Sequence, residues 1–118
     1  VYKRQTLEYA YPELEVISPL LSANEMATFN WNVSPGTRMV SNQFWVTKGQ
    51  TIHIGSTAIP DSSTYWIGIM DGLNNARYVE GTGNLSHGFS ITSSGHYRVF
   101  VQNKSSVQIN AAGSYYFN

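Results

Sequence analysis

The residues best suited to acid–base or nucleophilic chemistry in this 118-residue sequence are His53, His87 and His96 and a thin set of carboxylates. Serines are plentiful, but none lies in a Gly-x-Ser-x-Gly elbow, the sharp turn that exposes a nucleophilic hydroxyl. No acid stands near the histidines in sequence to orient an imidazole as a general base. They read as surface or half-buried strand residues. Metal chemistry finds no His-x-x-x-His or His-Glu-x-x-His spacing and no EF-hand loop. Asp61 and Asp71 border loops rich in carbonyl and hydroxyl oxygens that would suit calcium, but capping of a turn by an Asx side chain accounts for both more simply. Glu80 with Asp71 or Asp61 is a nominal carboxylate pair for glycoside hydrolysis. With only seven acidic residues in the chain, that pairing has no further support. No catalytic residue, metal ligand or cofactor is expected.

Aromatic residues carry the stronger signal. Trp45 is out of phase with Phe44 and Val46, and Trp66 is out of phase with Tyr65, Ile67 and Ile69. If the in-phase residues face a core, both indoles point to the opposite side of a sheet, because side chains alternate along a strand. Exposed Trp and Tyr beside amides can stack on a sugar ring or anchor a protein partner. The plainer alternative is that the indoles are covered by the N-terminal segment or lie at sheet edges. His53 points outward between Ile52 and Ile54. The candidate binding residues are therefore Trp45, Trp66, Tyr65 and His53. Tyr9, Tyr11, Tyr115 and Tyr116 give the two chain ends a similar aromatic character.

The elements that hold these residues read as strands. From Met26 the apolar period is two: Ala27, Phe29, Trp31 and Val33 alternate with Thr28, Asn30 and Asn32. Ser34-Pro35-Gly36 then turns the chain. Further strands are predicted over residues 44–46, 51–56, 65–70, 77–79, 85–91 and 96–102, around Val107, Ile109 and Ala111, and around Tyr115 and Phe117 after Gly113. Residues 65–70 are apolar on both faces, as a central strand requires. Residues 71–75 have strong turn chemistry, since Gly and Asn tolerate positive φ. Eight or nine short strands, spaced by turn residues and with no helical period, predict an all-β antiparallel sandwich of jelly-roll or Ig-like type.

One domain is expected over residues 1–118, with residues 6–25 an extended N-terminal lead-in. Within it, residues 6–11 are predicted as an edge strand and 14–21 as a Pro-punctuated stretch. The opening Val1-Tyr2-Lys3-Arg4-Gln5 resembles the translated end of a transposase-type sequencing adapter. Two readings stand: a scar on a metagenomic fragment that lacks its native N-terminus, or a short coincidence; the five residues are set apart from the fold reading.

Composition narrows the function. Seven basic and seven acidic residues cancel, so no long-range field draws in phosphate backbones or anionic lipid, and nucleic-acid binding is disfavoured. The absence of cysteine removes disulfides, thiolate metal sites and thiol nucleophiles. No apolar run approaches the ~20 residues that span a bilayer, and no signal peptide is visible. Charged residues are 12% of the chain against roughly 25% in ordinary domains. Ser, Asn and Thr supply the polarity instead, a balance common in exported bacterial proteins. The three Asn-x-Ser sequons, at Asn32, Asn84 and Asn103, are what chance gives in so Asn- and Ser-rich a chain.

Residues 48–101 follow a recognisable order. Gly49-Gln50-Thr51-Ile52-His53-Ile54 is a glycine turn feeding an alternating strand, and Ile67-Gly68-Ile69-Met70-Asp71-Gly72 is a central strand running into an Asp-Gly turn. Phe89-Ser90-Ile91 and Gly95-His96-Tyr97-Arg98-Val99-Phe100-Val101 close it. This order resembles pre-peptidase C-terminal-type jelly-roll domains and small exported β-sandwich proteins of Gram-positive bacteria. Those domains often carry acidic residues in their loops, whereas this stretch has only Asp61, Asp71 and Glu80. The matched residues are structural, so the resemblance transfers no functional residue. It implies an accessory or surface role in a secreted or cell-surface protein. The leading expectation is a non-enzymatic extracellular module that binds carbohydrate or a protein through an aromatic sheet face. Two alternatives stand beside it. One is a surface-assembly subunit that adds residues 7–21 as a strand to a neighbour's sheet. The other is a hydrolase in which a His–acid or carboxylate pair converges in a pocket.

Overall fold

A computed structural model describes residues 2–6, 13–15 and 21–118. Val1 and residues 7–12 and 16–20 lie outside the described residues. With them lie Tyr9 and Tyr11, most of the expected 6–11 edge strand, and much of the 14–21 lead-in and of the segment considered for strand addition.

Eleven strands occur among the described residues: β1 (Tyr2–Thr6), β2 (Glu13–Glu15), β3 (Ala27–Val33), β4 (Arg38–Val40), β5 (Phe44–Val46), β6 (Thr51–Ile59), β7 (Tyr65–Met70), β8 (Asn75–Gly81), β9 (Asn84–Ser90), β10 (Gly95–Asn103) and β11 (Ile109–Phe117). They form two packed sheets. The larger runs β1-β8-β7-β10-β4-β2, with β5 also paired to β10, and the smaller runs β3-β11-β6-β9. Every pairing is antiparallel except β2 with β4, so the β-sandwich expected from the strand spacing is what the chain forms. No helix among the described residues is long and apolar enough to cross a membrane.

The alternation of β3 places Ala27, Phe29, Trp31 and Val33 inside and leaves Thr28, Asn30 and Asn32 exposed. Phe44 of the large sheet stacks on Tyr115 and Phe117 of the small one, with ring centroids 5.8 and 5.6 Å apart. Those contacts tie the layers together, and each such ring adds about 1.5–3 kcal/mol of burial. At the far end, the buried Asn103 side chain closes the loop after β10. Its Nδ2 donates to the carbonyls of Val33 and Val107 at 2.9 and 2.7 Å. Its Oδ1 accepts from the Ser105 amide and hydroxyl at 2.8 and 2.6 Å.

Three elements depart from the sequence reading, the first being β1, whose residues that reading sets apart but which pairs with β8. The strands expected on either side of Gly113 are one continuous β11. Gly113 packs there without turning the chain, since a β-carbon would collide with the Gly55 carbonyl and lie 2.8 Å from Ser56 Cα. The unexpected β4 carries Arg38, which is only 1% exposed. Its guanidinium lies 4.7 Å from the Phe100 ring centroid, and Nε donates to Gln102 Oε1 at 3.1 Å.

The outer faces of the two sheets differ, and that difference decides where a site can be. The middle of the large sheet is buried on both sides, with Val40, Trp66, Met70, Ala76, Tyr78 and Phe100 forming a second apolar cluster outside the main core, while Trp45 on β5 is exposed. All six residues of β7 are buried as a result. The small sheet buries one face only.

Candidate functional site

The open face of the small sheet is built by register. Ser114 of β11 pairs with Gly55 of β6, and Gly55 pairs with Ser86 of β9, so small residues form one row across three strands. One rung along lie Tyr116, His53 and Gly88; one rung the other way lie Ala112, Thr57 and Asn84. Side chains two apart share a face, so the small row is a trough between two taller rows. It forms a groove of about 370 Å³ lined by His53, Ile54, Gly55, Ser86, His87, Gly88, Ser114 and Tyr116. At strand spacings of ~4.8 Å it extends on the order of 14 Å across the sheet.

Its walls are held in place. The His53 and Tyr116 rings stack with centroids 4.6 Å apart and planes 13° from parallel. His53 Nε2 also lies 3.0 Å from Asn118 Oδ1, in hydrogen-bond contact. A side chain at Gly88 would press on Thr51 Cγ2 at 3.2 Å and make ordinary contact with the His53 ring at 3.5 Å. On the other wall, Thr57 Oγ1 donates to Asn84 Oδ1 at 2.6 Å. Beyond it, Asn110 Nδ2 donates to the side-chain oxygens of Asn30 and Asn32 at 2.7 and 3.1 Å. None of the outward positions on these four strands is Asp, Glu, Lys or Arg. Burial and the Arg77 charge lower the His87 pKa below its ordinary value of 6.5, which favours the neutral imidazole. The groove lining offers the Ser86 and Ser114 hydroxyls and the Tyr116 ring and contains no carboxylate, with the Asn84 amide on the adjoining row.

Of the residues singled out in the sequence, His53 lies in this groove. Trp45 and Trp66 lie elsewhere, on the outer side of the large sheet as their phase predicted. Trp45 is 54% exposed there and meets His96 edge-on at 5.2 Å. Trp66 is only 7% exposed: it stacks on Tyr78 at 3.8 Å, donates Nε1–H to Glu80 Oε1 at 2.8 Å and lies under Lys104 Nζ at 4.6 Å. Its indole is thereby taken up by the protein itself. Tyr65 points into the core and is fully buried, its hydroxyl donating to the Gly83 carbonyl at 2.7 Å, so it presents no binding surface. Desolvation raises its pKa above 10.0. The structure does not bring these four residues together.

Of the remaining candidates for chemistry, Asp71 and His96 line one cavity of the large sheet, and His87 shares the groove with His53. Asp71 Oδ1 accepts the Leu73 and Asn75 amides at 2.8 and 2.9 Å, the Asx-turn role expected of it. Among the described residues no group of three or more His, Cys, Asp or Glu could hold a metal ion. Sequence reading missed Ser86, Ser114, Gly55 and Gly88, whose contribution is small size. In the sequence Tyr116 stands out only as part of an aromatic chain end.

Comparison with known proteins agrees at the level of fold. No family model matches the chain, and no curated protein matches it. Among solved structures it is similar to the pre-peptidase C-terminal domain of collagenase from Bacillus anthracis, with a TM-score of 0.57 and 14% identity over 95% of this chain and 100% of that one. It is also similar to the carbohydrate-binding module CBM36 in complex with calcium and xylotriose, with a TM-score of 0.42 and 8% identity over 84% of this chain and 77% of that one. The glycine-and-strand order of residues 48–101 thus led to the correct neighbourhood: the chain has a β-sandwich fold similar to that of a pre-peptidase C-terminal domain.

Proposed function

We propose that this chain is a non-enzymatic binding module that holds an uncharged polysaccharide across the open face of its small sheet. The observation that carries the reading is the transverse trough of Ser114, Gly55 and Ser86, walled on one side by the His53–Tyr116 stack. A pyranose ring has an apolar C–H face and a rim of hydroxyls. The Tyr116 ring suits the first, and the Ser, Thr and Asn groups around the trough suit the second. An anionic or cationic chain would find no countercharge there, and the trough is long enough for a short oligosaccharide. Hydrolysis is not expected, since cleaving a glycoside calls for two placed carboxylates and the groove lining supplies none. On this reading the protein works outside the cytoplasm, where polysaccharides of that kind are met.

Affinity electrophoresis through gels containing neutral polysaccharides tests the proposal. The wild-type chain should be retarded by at least one of them, and Tyr116→Ala should weaken binding by about tenfold, ~1.4 kcal/mol. Equal retardation of the two proteins, or none of the wild type on any neutral glycan, would reject it.

A further inference from the structure

A second aromatic platform stands on the other side of the sandwich. Trp45, the middle residue of β5, is the one exposed tryptophan of three, because Trp31 and Trp66 are 5% and 7% exposed. Its cross-strand partner on β10 is His96, and the imidazole meets the indole at 81°. Beside His96 lies a cavity of about 210 Å³ lined by Gln43, Met70, Asp71, Gly72, Asn74, His96 and Arg98. Its floor is firm, since the Asp71 carboxylate is bonded to the backbone of its own turn and to Asn75 Nδ2 at 3.2 Å.

This corner combines an open ring face with the Gln43 and Asn74 amides, the Asp71 carboxylate and the Arg98 guanidinium, all of them groups that bond sugar hydroxyls, and it is compact where the groove is long. A single sugar ring suits that combination: its C–H face would cover part of the indole and its hydroxyls would turn toward the polar side chains of the adjoining cavity. Because β5 belongs to the large sheet and the groove to the small one, the two sites face away from each other. We infer that Trp45, backed by His96, is a second sugar site, so that one molecule holds two chains of the same neutral polysaccharide and crosslinks them. The crosslinking rests on the groove reading; the Trp45 site does not.

Acrylamide quenching of intrinsic fluorescence reads the site directly, since the quencher reaches Trp45 far more readily than Trp31 or Trp66. A neutral polysaccharide that retards the protein should at least halve the quenching slope, both in the wild type and in Tyr116→Ala. An unchanged slope in both at saturating polysaccharide would overturn the Trp45 site and leave the groove standing. Protection in both, without any effect of Tyr116→Ala on retardation, would instead count against the groove. Dynamic light scattering then tests crosslinking: wild type should assemble soluble polysaccharide into particles, whereas Trp45→Ala, folded as shown by an unchanged thermal melt, should not. Assembly by Trp45→Ala equal to wild type, or no assembly by wild type despite protection of Trp45, would overturn the two-chain inference.

Discussion

Filling the groove from its floor separates binding from folding. A β-carbon at Gly55 would meet nothing within 4 Å, and its backbone is not in the left-handed region. Gly55→Val therefore adds a branched side chain where the structure has only solvent. In a strand interior glycine costs about 0.5–1 kcal/mol relative to alanine, and valine suits a pleated surface better still. The variant should gain about 1 kcal/mol and melt roughly 4 °C higher. The same isopropyl group would stand between Ser86 and Ser114, in the path of any sugar ring lying across the trough. Binding should fall by about a hundredfold, ~2.7 kcal/mol. The neighbouring glycine supplies the contrast. Alanine at Gly113 would drive its methyl into the Gly55 carbonyl and against Ser56 Cα. Overpacking against backbone should cost about 3 kcal/mol and lower the Tm by about 10 °C. Thermal melts followed by circular dichroism, paired with affinity electrophoresis, read both effects. A folded Gly55→Val that binds as well as wild type would refute the groove as the site. A Gly55→Val that melts well below wild type would refute the packing argument.

Other parts of the structure give further expectations. Asn103→Ala removes donors to two carbonyls and an acceptor for the Ser105 amide and hydroxyl, and should destabilise by about 2–4 kcal/mol in a thermal or urea melt. A loss below about 1 kcal/mol would show that water replaces those bonds. His87 has a lowered pKa, so as pH falls below its ordinary 6.5 the unfolded chain takes up a proton before the folded one. Its contribution is nil above that pH, where both states are neutral, and increasingly unfavourable below it. Melts of wild type and His87→Gln between pH 8 and 5 should run level near neutrality and diverge toward acid in favour of Gln; profiles parallel throughout would contradict the shift.

Local pattern carried most of the fold. The alternation of Ala27 to Val33 and the double-sided apolarity of Tyr65 to Met70 were legible because each follows from which faces of a strand are dry. Gly113 misled because a packing glycine looks like a turn glycine in sequence; only the close approach of β6 distinguishes them. β4 escaped because Arg38, a charged residue, occupies a buried position where alternation calls for an apolar one. The site was less legible for a different reason. A groove made by Gly55, Ser86, Gly88 and Ser114 is defined by missing side chains, on strands joined only by long-range register. The phases of Trp45 and Trp66 gave the correct side of the sheet for both. Phase says nothing of what covers that side, and Trp66 is buried while Trp45 is not.

The central claim is that an uncharged glycan lies across β9, β6 and β11. Titration of the isotopically labelled protein with a neutral oligosaccharide chosen by gel retardation, followed by backbone amide chemical shifts, tests it most directly. The account predicts a contiguous set of perturbed amides centred on Gly55, Ser86, Gly88, Ser114 and Tyr116. Perturbations that leave those five unmoved while the glycan binds elsewhere on the protein would contradict it.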